Sequence, residues 1–331
     1  MDEASELVEA YRYATRQGLT PAEAFDAISP ELSAIYVEEG WASLRGVVKD
    51  LIDSCAGTTE EAEVFIDGFF DVTAGGGDSF TDEDAWFFED VVREYPDSLK
   101  LQDALAGVYA GLCNGHSGAY LAKLAQLSNE HPDMSSVALY YVSSLVDLVW
   151  DAYEGTVSTQ DYAEAVHLVK GLYEAHPTEE FAERYAEGLK NLAGMQEVEE
   201  DAATLIAIIE ALLAQWPNKY IARDYLSALN RLTWLQDERG CVATIEKMES
   251  MWDGYPYALN LLAMNIAYSL ANYSLCVEGS DKETVLAQIE SLAPWWGPAA
   301  RMASELRDGT HAYAHKPKKA IGRLNGRGNL S

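Results

Sequence analysis

Five times in this chain a ring residue stands directly before a proline at the end of an apolar-periodic stretch. The pairs are Tyr95-Pro96, His131-Pro132, His176-Pro177, Trp216-Pro217 and Tyr255-Pro256. Successive prolines are 36, 45, 40 and 39 residues apart, and a looser copy, Trp296-Gly297-Pro298, follows 42 residues after Pro256. Proline lacks an N–H and crowds the preceding turn, so it stops a helix. A helix stop recurring every ~40 residues is the signature of stacked helical hairpins, each burying its apolar face against its neighbours. The ring before each proline is then a corner piece. His131 and His176 take a structural role by equivalence with the tyrosines and tryptophans.

Counting from the prolines exposes a packing stripe. Five positions on stand Leu101, Val137, Ala182, Ala222 and Leu261, all apolar. Eight positions on stand Ala104, Tyr140, Tyr185, Tyr225 and Met264, bulky in every copy but the first. Eleven positions on stand Gly107, Ser143, Gly188, Ala228 and Ala267, small in every copy. These offsets share one helix face. The small residue lets a neighbouring helix approach, and the bulky one fills the adjoining gap.

Almost every other segment also reads as helix, with apolar residues three and four apart. Helices are expected near 3–17, 21–39, 41–55 and 59–72, then as pairs near 81–95 and 98–113, 118–131 and 134–153, and 160–176 and 179–194. Further pairs are expected near 198–216 and 218–235, 239–253 and 257–275, and 282–293 and 298–307. Capping signatures stand at Thr20-Pro21-Ala22-Glu23, Thr58-Thr59-Glu60-Glu61 and Ser280-Asp281-Lys282-Glu283. Gly18, Gly115, Gly194, Gly254 and Gly279 fall where helix stops are needed. The expected organisation is an N-terminal helical region (1–74), a glycine-rich connection (75–80) holding Gly75-Gly76-Gly77, a repeat array (81–308) and a basic tail (309–331).

The chain resembles the tetratricopeptide-repeat (TPR) superfamily and its bacterial relatives over roughly residues 81–307. The terminal prolines, the small-residue positions and segments such as Phe181-Ala182-Glu183-Arg184-Tyr185-Ala186-Glu187-Gly188-Leu189 carry the resemblance. The match is degenerate: the family's usual period is shorter, and its full tryptophan-leucine-glycine-tyrosine pattern is absent here. The resemblance implies an all-α solenoid of stacked helix-turn-helix hairpins, a right-handed superhelix whose concave groove binds peptides or protein segments.

Charge narrows the partners. The chain carries 54 acidic and 23 basic residues, a net −31, so its body repels phosphate backbones. The sign reverses after Asp308, where Lys316, Lys318, Lys319, Arg323 and Arg327 stand without an acidic residue. That arm can touch nucleic acid, anionic lipid or an acidic protein patch, or fold back on its own acidic body. The four cysteines are scattered without metal-ligand spacing, and the acidic N-terminus is unlike a secretory signal. The apolar stretches are too short and interrupted to span a bilayer. A cytoplasmic protein is the expectation, with no membrane and no nucleic acid on the body.

Against this acidic background the cations of two consecutive repeats stand out. Thirteen and fourteen positions after proline the chain reads Lys190-Asn191 and then Asn230-Arg231, with Arg184 and Arg223 earlier on the same helices. Such pairs can hold a carboxylate or peptide backbone through charge-assisted bonds. They can equally be cations favouring helix C-termini. Tyr140, Tyr141, Tyr185, Tyr225, Tyr257 and Tyr268 recur near the hairpin faces, as recognition groups or as packing. Residues 58–97 hold thirteen acidic side chains against Arg93 alone, and six of the eight phenylalanines: either an acidic aromatic surface for a basic partner, or a solvated face over a phenylalanine core.

Other chemistry finds no support. The triple glycine has no Gly-Lys-Ser/Thr after it, and Asp71–Asp82 lacks the alternating ligands of a calcium loop. His167 and His176 are nine apart, and His311 and His315 lie by the glycine-containing tail. No catalytic motif, metal site or cofactor is expected. The expected function is a non-enzymatic scaffold or adaptor binding a peptide or protein segment in the groove, a basic partner being the one that the acidic charge favours. The alternative is an acidic decoy or inhibitor that mimics nucleic acid or blocks a basic partner.

Overall fold

The computed structural model describes residues 3–73, 80–113 and 118–311, with the side chains of 3 and 257 excepted. Residues 75–79 of the glycine-rich connection, Gly115, His116, His315 and the tail from 312 onward lie outside the described residues, as does the Tyr257 side chain. Among the described residues every regular element is a helix. No described helix is long and apolar enough to cross a membrane. The chain forms two compact units, 1–144 and 145–331.

The first unit holds α1 (Glu3–Arg16), α2 (Pro21–Asp26), α3 (Ser29–Glu39), α4 (Trp41–Cys55), α5 (Thr59–Thr73), α6 (Asp82–Glu94), α7 (Leu99–Cys113), α8 (Gly118–Glu130) and α9 (Ser135–Asp147), whose last three residues pass into the second unit. The expected single helix over 21–39 is divided. Pro30 at the start of α3 brings no N–H, and the chain turns at Ala27-Ile28 instead of continuing. The Thr20 capping box forms: Thr20 N donates to Glu23 Oε2 (2.9 Å) and Glu23 N to Thr20 Oγ1 (3.3 Å). Thr58 likewise accepts from Glu61 N, while Glu61 accepts from Gly57 N.

Phenylalanine builds the core here. Phe69 is fully buried, edge-on to Trp41 of α4 (4.7 Å between ring centres) and to Phe87 and Phe88 of α6. Phe65 packs beside Tyr11 and Phe25. Of the six phenylalanines in the acidic stretch, four are buried, and Phe70 and Phe80 pack against them. One carboxylate is buried with them. Asp84 accepts from Arg45 NH1 (2.6 Å), Trp41 Nε1 (2.7 Å), and Thr81 N and Oγ1 (2.7 and 2.8 Å). Burial alone would raise its pKa, but those donors outweigh burial and hold it below the ordinary carboxylate value.

The second unit holds α10 (Val149–Glu154), α11 (Thr159–Ala175), α12 (Glu179–Met195), α13 (Glu199–Gln215), α14 (Lys219–Leu232), α15 (Glu238–Glu249), a 3-10 turn at Pro256–Ala258, α16 (Leu259–Ser274), α17 (Gly279–Ser291) and α18 (Ala299–Arg307). α12 packs on α11 and α14, α14 on α13 and α16, and α16 on α15 and α18. Three expectations shift. The helix expected over 134–153 breaks at Leu148, leaving α10 separate. α17 begins at Gly279, ahead of the expected Ser280 cap, and Gly279 starts a helix rather than ending one. Gly194 lies inside α12.

The ring-proline corners share one construction. Tyr95, His176, Trp216 and Tyr255 adopt nearly the same backbone, with φ of −122°, −125°, −126° and −131° and ψ of 63°, 73°, 76° and 63°. All six ring residues, His131 and Trp296 included, donate the backbone N–H to the carbonyl four residues earlier, at 2.8–3.2 Å. The last helical bond is thus made before proline removes the next donor. The rings then tie elements together. Tyr95 OH donates to Ala56 O (2.8 Å), Trp216 Nε1 to Tyr173 OH (3.2 Å), and His176 stacks on Phe181. At two small positions of the packing stripe another side chain does approach closely: a Cβ at Gly107 would stand 3.5 Å from the ring of Tyr140, and one at Gly188 3.4 Å from Val166.

Candidate functional site: a charged seam on α12 and α14

Arg184, Glu187 and Lys190 follow one another at three-residue spacing along α12, so they share a face. Asp224 of α14 meets that face. Lys190 Nζ lies 3.3 Å from Asp224 Oδ1 and 3.8 Å from Glu187 Oε1. Arg184 NH1 lies 3.0 Å from Glu187 Oε2, and Arg223 Nε lies 3.2 Å from Asp224 Oδ1. The Asp224 side chain is 2% exposed and that of Lys190 14%, whereas both arginines are nearly half exposed. The seam therefore has a buried lysine–aspartate pair beneath two guanidiniums open to solvent.

Burial pushes the Asp224 carboxyl above its ordinary pKa, with Lys190 and Arg223 opposing that rise. Asp147, at the end of α9, is also pushed up by burial, with Arg184 opposing and Glu187 adding to the rise. Taking a carboxylate out of water favours its neutral form, and only nearby cations offset this.

The two cation-plus-amide pairs do not act as pairs. Consecutive helical residues point about 100° apart, so one member of each turns inward. Asn191 is buried and donates to Tyr162 OH (3.2 Å), which donates to Val146 O (3.1 Å). Asn230 donates to Ser269 Oγ of α16 (3.0 Å). Both amides thus tie helices together. Arg231 lies across Gly194 of α12, where a Cβ would stand 1.9 Å from its NH1, and donates to Tyr153 OH (3.1 Å).

That last contact leads to two residues the sequence left unmarked. Trp150 and Tyr153 on α10 meet edge-on (6.2 Å between centres), with Trp150 64% exposed and Tyr153 half exposed. Their three-residue spacing was the available signal, with Tyr153 standing 21 positions after Pro132, past the 15 to 18 at which α7, α12, α14 and α16 end after their prolines. The arrangement offers forked N–H donors, suited to carboxylates and carbonyls, and an aromatic surface. Among the described residues no group of three His, Cys, Asp or Glu is placed to hold a metal ion. Compared with protein-family models and with curated proteins, the chain matches none.

Proposed function

We propose that the protein is a non-enzymatic interaction module that holds a peptide or protein segment along its second unit, in the groove of a right-handed, TPR-like solenoid. The successive packing of α12, α14 and α16 supports the stacked-hairpin part of this reading. The observation that carries the binding part is the presence, in a strongly acidic chain, of half-exposed Arg184 and Arg223 on α12 and α14, and of exposed Trp150 and Tyr153 on α10, with Arg231, farther along α14, on Tyr153. Tryptophan, tyrosine and arginine are the residues that dominate binding energy at interfaces. The segment held presents carboxylates or carbonyls to the guanidiniums and an apolar side chain to the aromatics.

Selection from a random peptide library on the immobilised full chain tests this. Enriched peptides should lose affinity by about tenfold or more on Arg184→Ala/Arg223→Ala and on Trp150→Ala/Tyr153→Ala, roughly 1.4 kcal/mol each. Equal binding to both variants would refute the site. Lys190 and Asn191 are unsuitable for that test, because their loss disturbs the helices themselves. The acidic-decoy reading rests on the charge of −31 and predicts another result: binding of basic proteins that collapses with salt and ignores these substitutions.

A further inference from the structure

A second surface lies in the first unit. α1 and α3 each pack on α4, and an open groove of about 480 Å³ runs between them. Its floor is apolar: Leu7 and Ala10 from α1, and Ala27, Ile28, Ala34 and Ile35 along α3 and the turn before it. Its rim is Glu6, Glu31, Glu38 and Glu39, and no basic side chain lines it. All four glutamates are exposed, and none meets a cation among the described residues. By contrast, Asp84, Glu89 and Asp224 are each met by a lysine or arginine.

Length and charge define the occupant. The lining positions on the α3 side run from 27 to 39, about 18 Å at the helical rise. That suits three turns of helix. α3 carries a further sign of an unfinished face, since Val37 is 81% exposed beside this run. An apolar floor under a continuous carboxylate rim is complementary to a helix with an apolar ridge and cations on both flanks. We propose that the α1–α3 groove docks a short cationic amphipathic helix of a partner protein. The ridge enters over Ala10, Ala27 and Ala34, whose small side chains leave the space, and lysines or arginines meet the four glutamates.

Fluorescence anisotropy with the full chain decides it. The probe is a labelled synthetic three-turn helix with leucines on one face and lysines flanking them. One control exchanges the leucines for serine, and another the lysines for glutamate. Glu31→Lys/Glu38→Lys and the groove-filling Ala34→Trp should each weaken the probe about tenfold or more. Glu130→Lys/Asp133→Lys changes the charge equally at exposed residues of the same unit that do not line the groove, and should leave binding within about twofold. Circular dichroism checks that each variant is folded. Binding of the serine peptide as tight as that of the leucine peptide would overturn the proposal, since any acidic surface would then suffice. Equal weakening by that control pair would overturn it too. So would concentration-dependent dimerisation abolished by Ala34→Trp, which would make the occupant a second copy of the chain.

Discussion

Replacing Lys190 by methionine isolates the buried pair at the heart of the seam. Methionine keeps most of the aliphatic stem and removes the ammonium that stands 3.3 Å from Asp224. Breaking a buried ion pair from one side costs about 3–5 kcal/mol, because the remaining charge stays buried. Arg223 still reaches Asp224 at 3.2 Å but sits half in solvent, so the expected cost is about 2–3 kcal/mol. Urea unfolding followed by circular dichroism near neutral pH should show a lower midpoint at unchanged slope. The pH dependence has a definite sign. Asp224 already titrates above 3.8 in the folded protein, and losing Lys190 raises it further. A raised acid binds its proton more tightly folded than unfolded, so its penalty is present at high pH and relieved as pH falls through the folded pKa. The deficit of Lys190→Met relative to the parent should therefore shrink on acidification. Lys190→Met/Asp224→Leu should recover most of it, since apolar replacement of a buried pair is close to neutral. A loss under about 1 kcal/mol, a deficit independent of pH, or no recovery in the double variant would refute the reasoning.

Asp84 titrates in the opposite direction, its folded pKa lying below 3.8, so its contribution is complete above that value and lost as pH falls through the folded one. Asp84→Ala should cost about 3–5 kcal/mol by thermal or urea unfolding and flatten the acid limb of the stability curve. Gly194→Ala should displace the Arg231 guanidinium, a movable side-chain end, with little net change in stability, the helix-propensity gain of about 1 kcal/mol offsetting the lost contact. If it instead unfolds the second unit, the close approach of α14 to α12 is more rigid than its geometry implies. Tyr95→Phe removes the bond to Ala56 O and should cost about 1 kcal/mol in thermal unfolding.

The corners were legible because they depend on chain-local chemistry. A ring residue, a proline and the last backbone bond lie within five residues, so the pattern reads off without knowledge of the neighbours. That position 107 is a small residue under close approach was legible in the stripe, but its neighbour was not: Gly107 meets the ring of Tyr140, whereas Gly188, at the same offset, meets Val166 and Val146. The break at Leu148 carried no such mark, with neither glycine nor proline at the bend. Pro30 carried one, but an apolar period running through it masked the division between α2 and α3. Asp224 and Arg223 are adjacent in sequence and alike in polarity, yet one is buried and the other half exposed. Which is which depends on where α12 lies, and no window along α14 contains that. The same holds for Trp150 and Tyr153, whose link to Arg231 spans 78 residues.

The uniform corner has a bearing on how such a chain can change length. Tyr95, His176, Trp216 and Tyr255 present the same exit direction to whatever follows, because φ and ψ agree within 13°. A cut after one proline and a join at the next, removing residues 178–217, would therefore rejoin the chain through an equivalent joint. Gain or loss of a whole hairpin is the one large edit that leaves every remaining joint intact. An insertion of a few residues beside a corner alters the joint itself. Duplication or deletion in units near forty residues is therefore the change of length that this backbone geometry accommodates most simply.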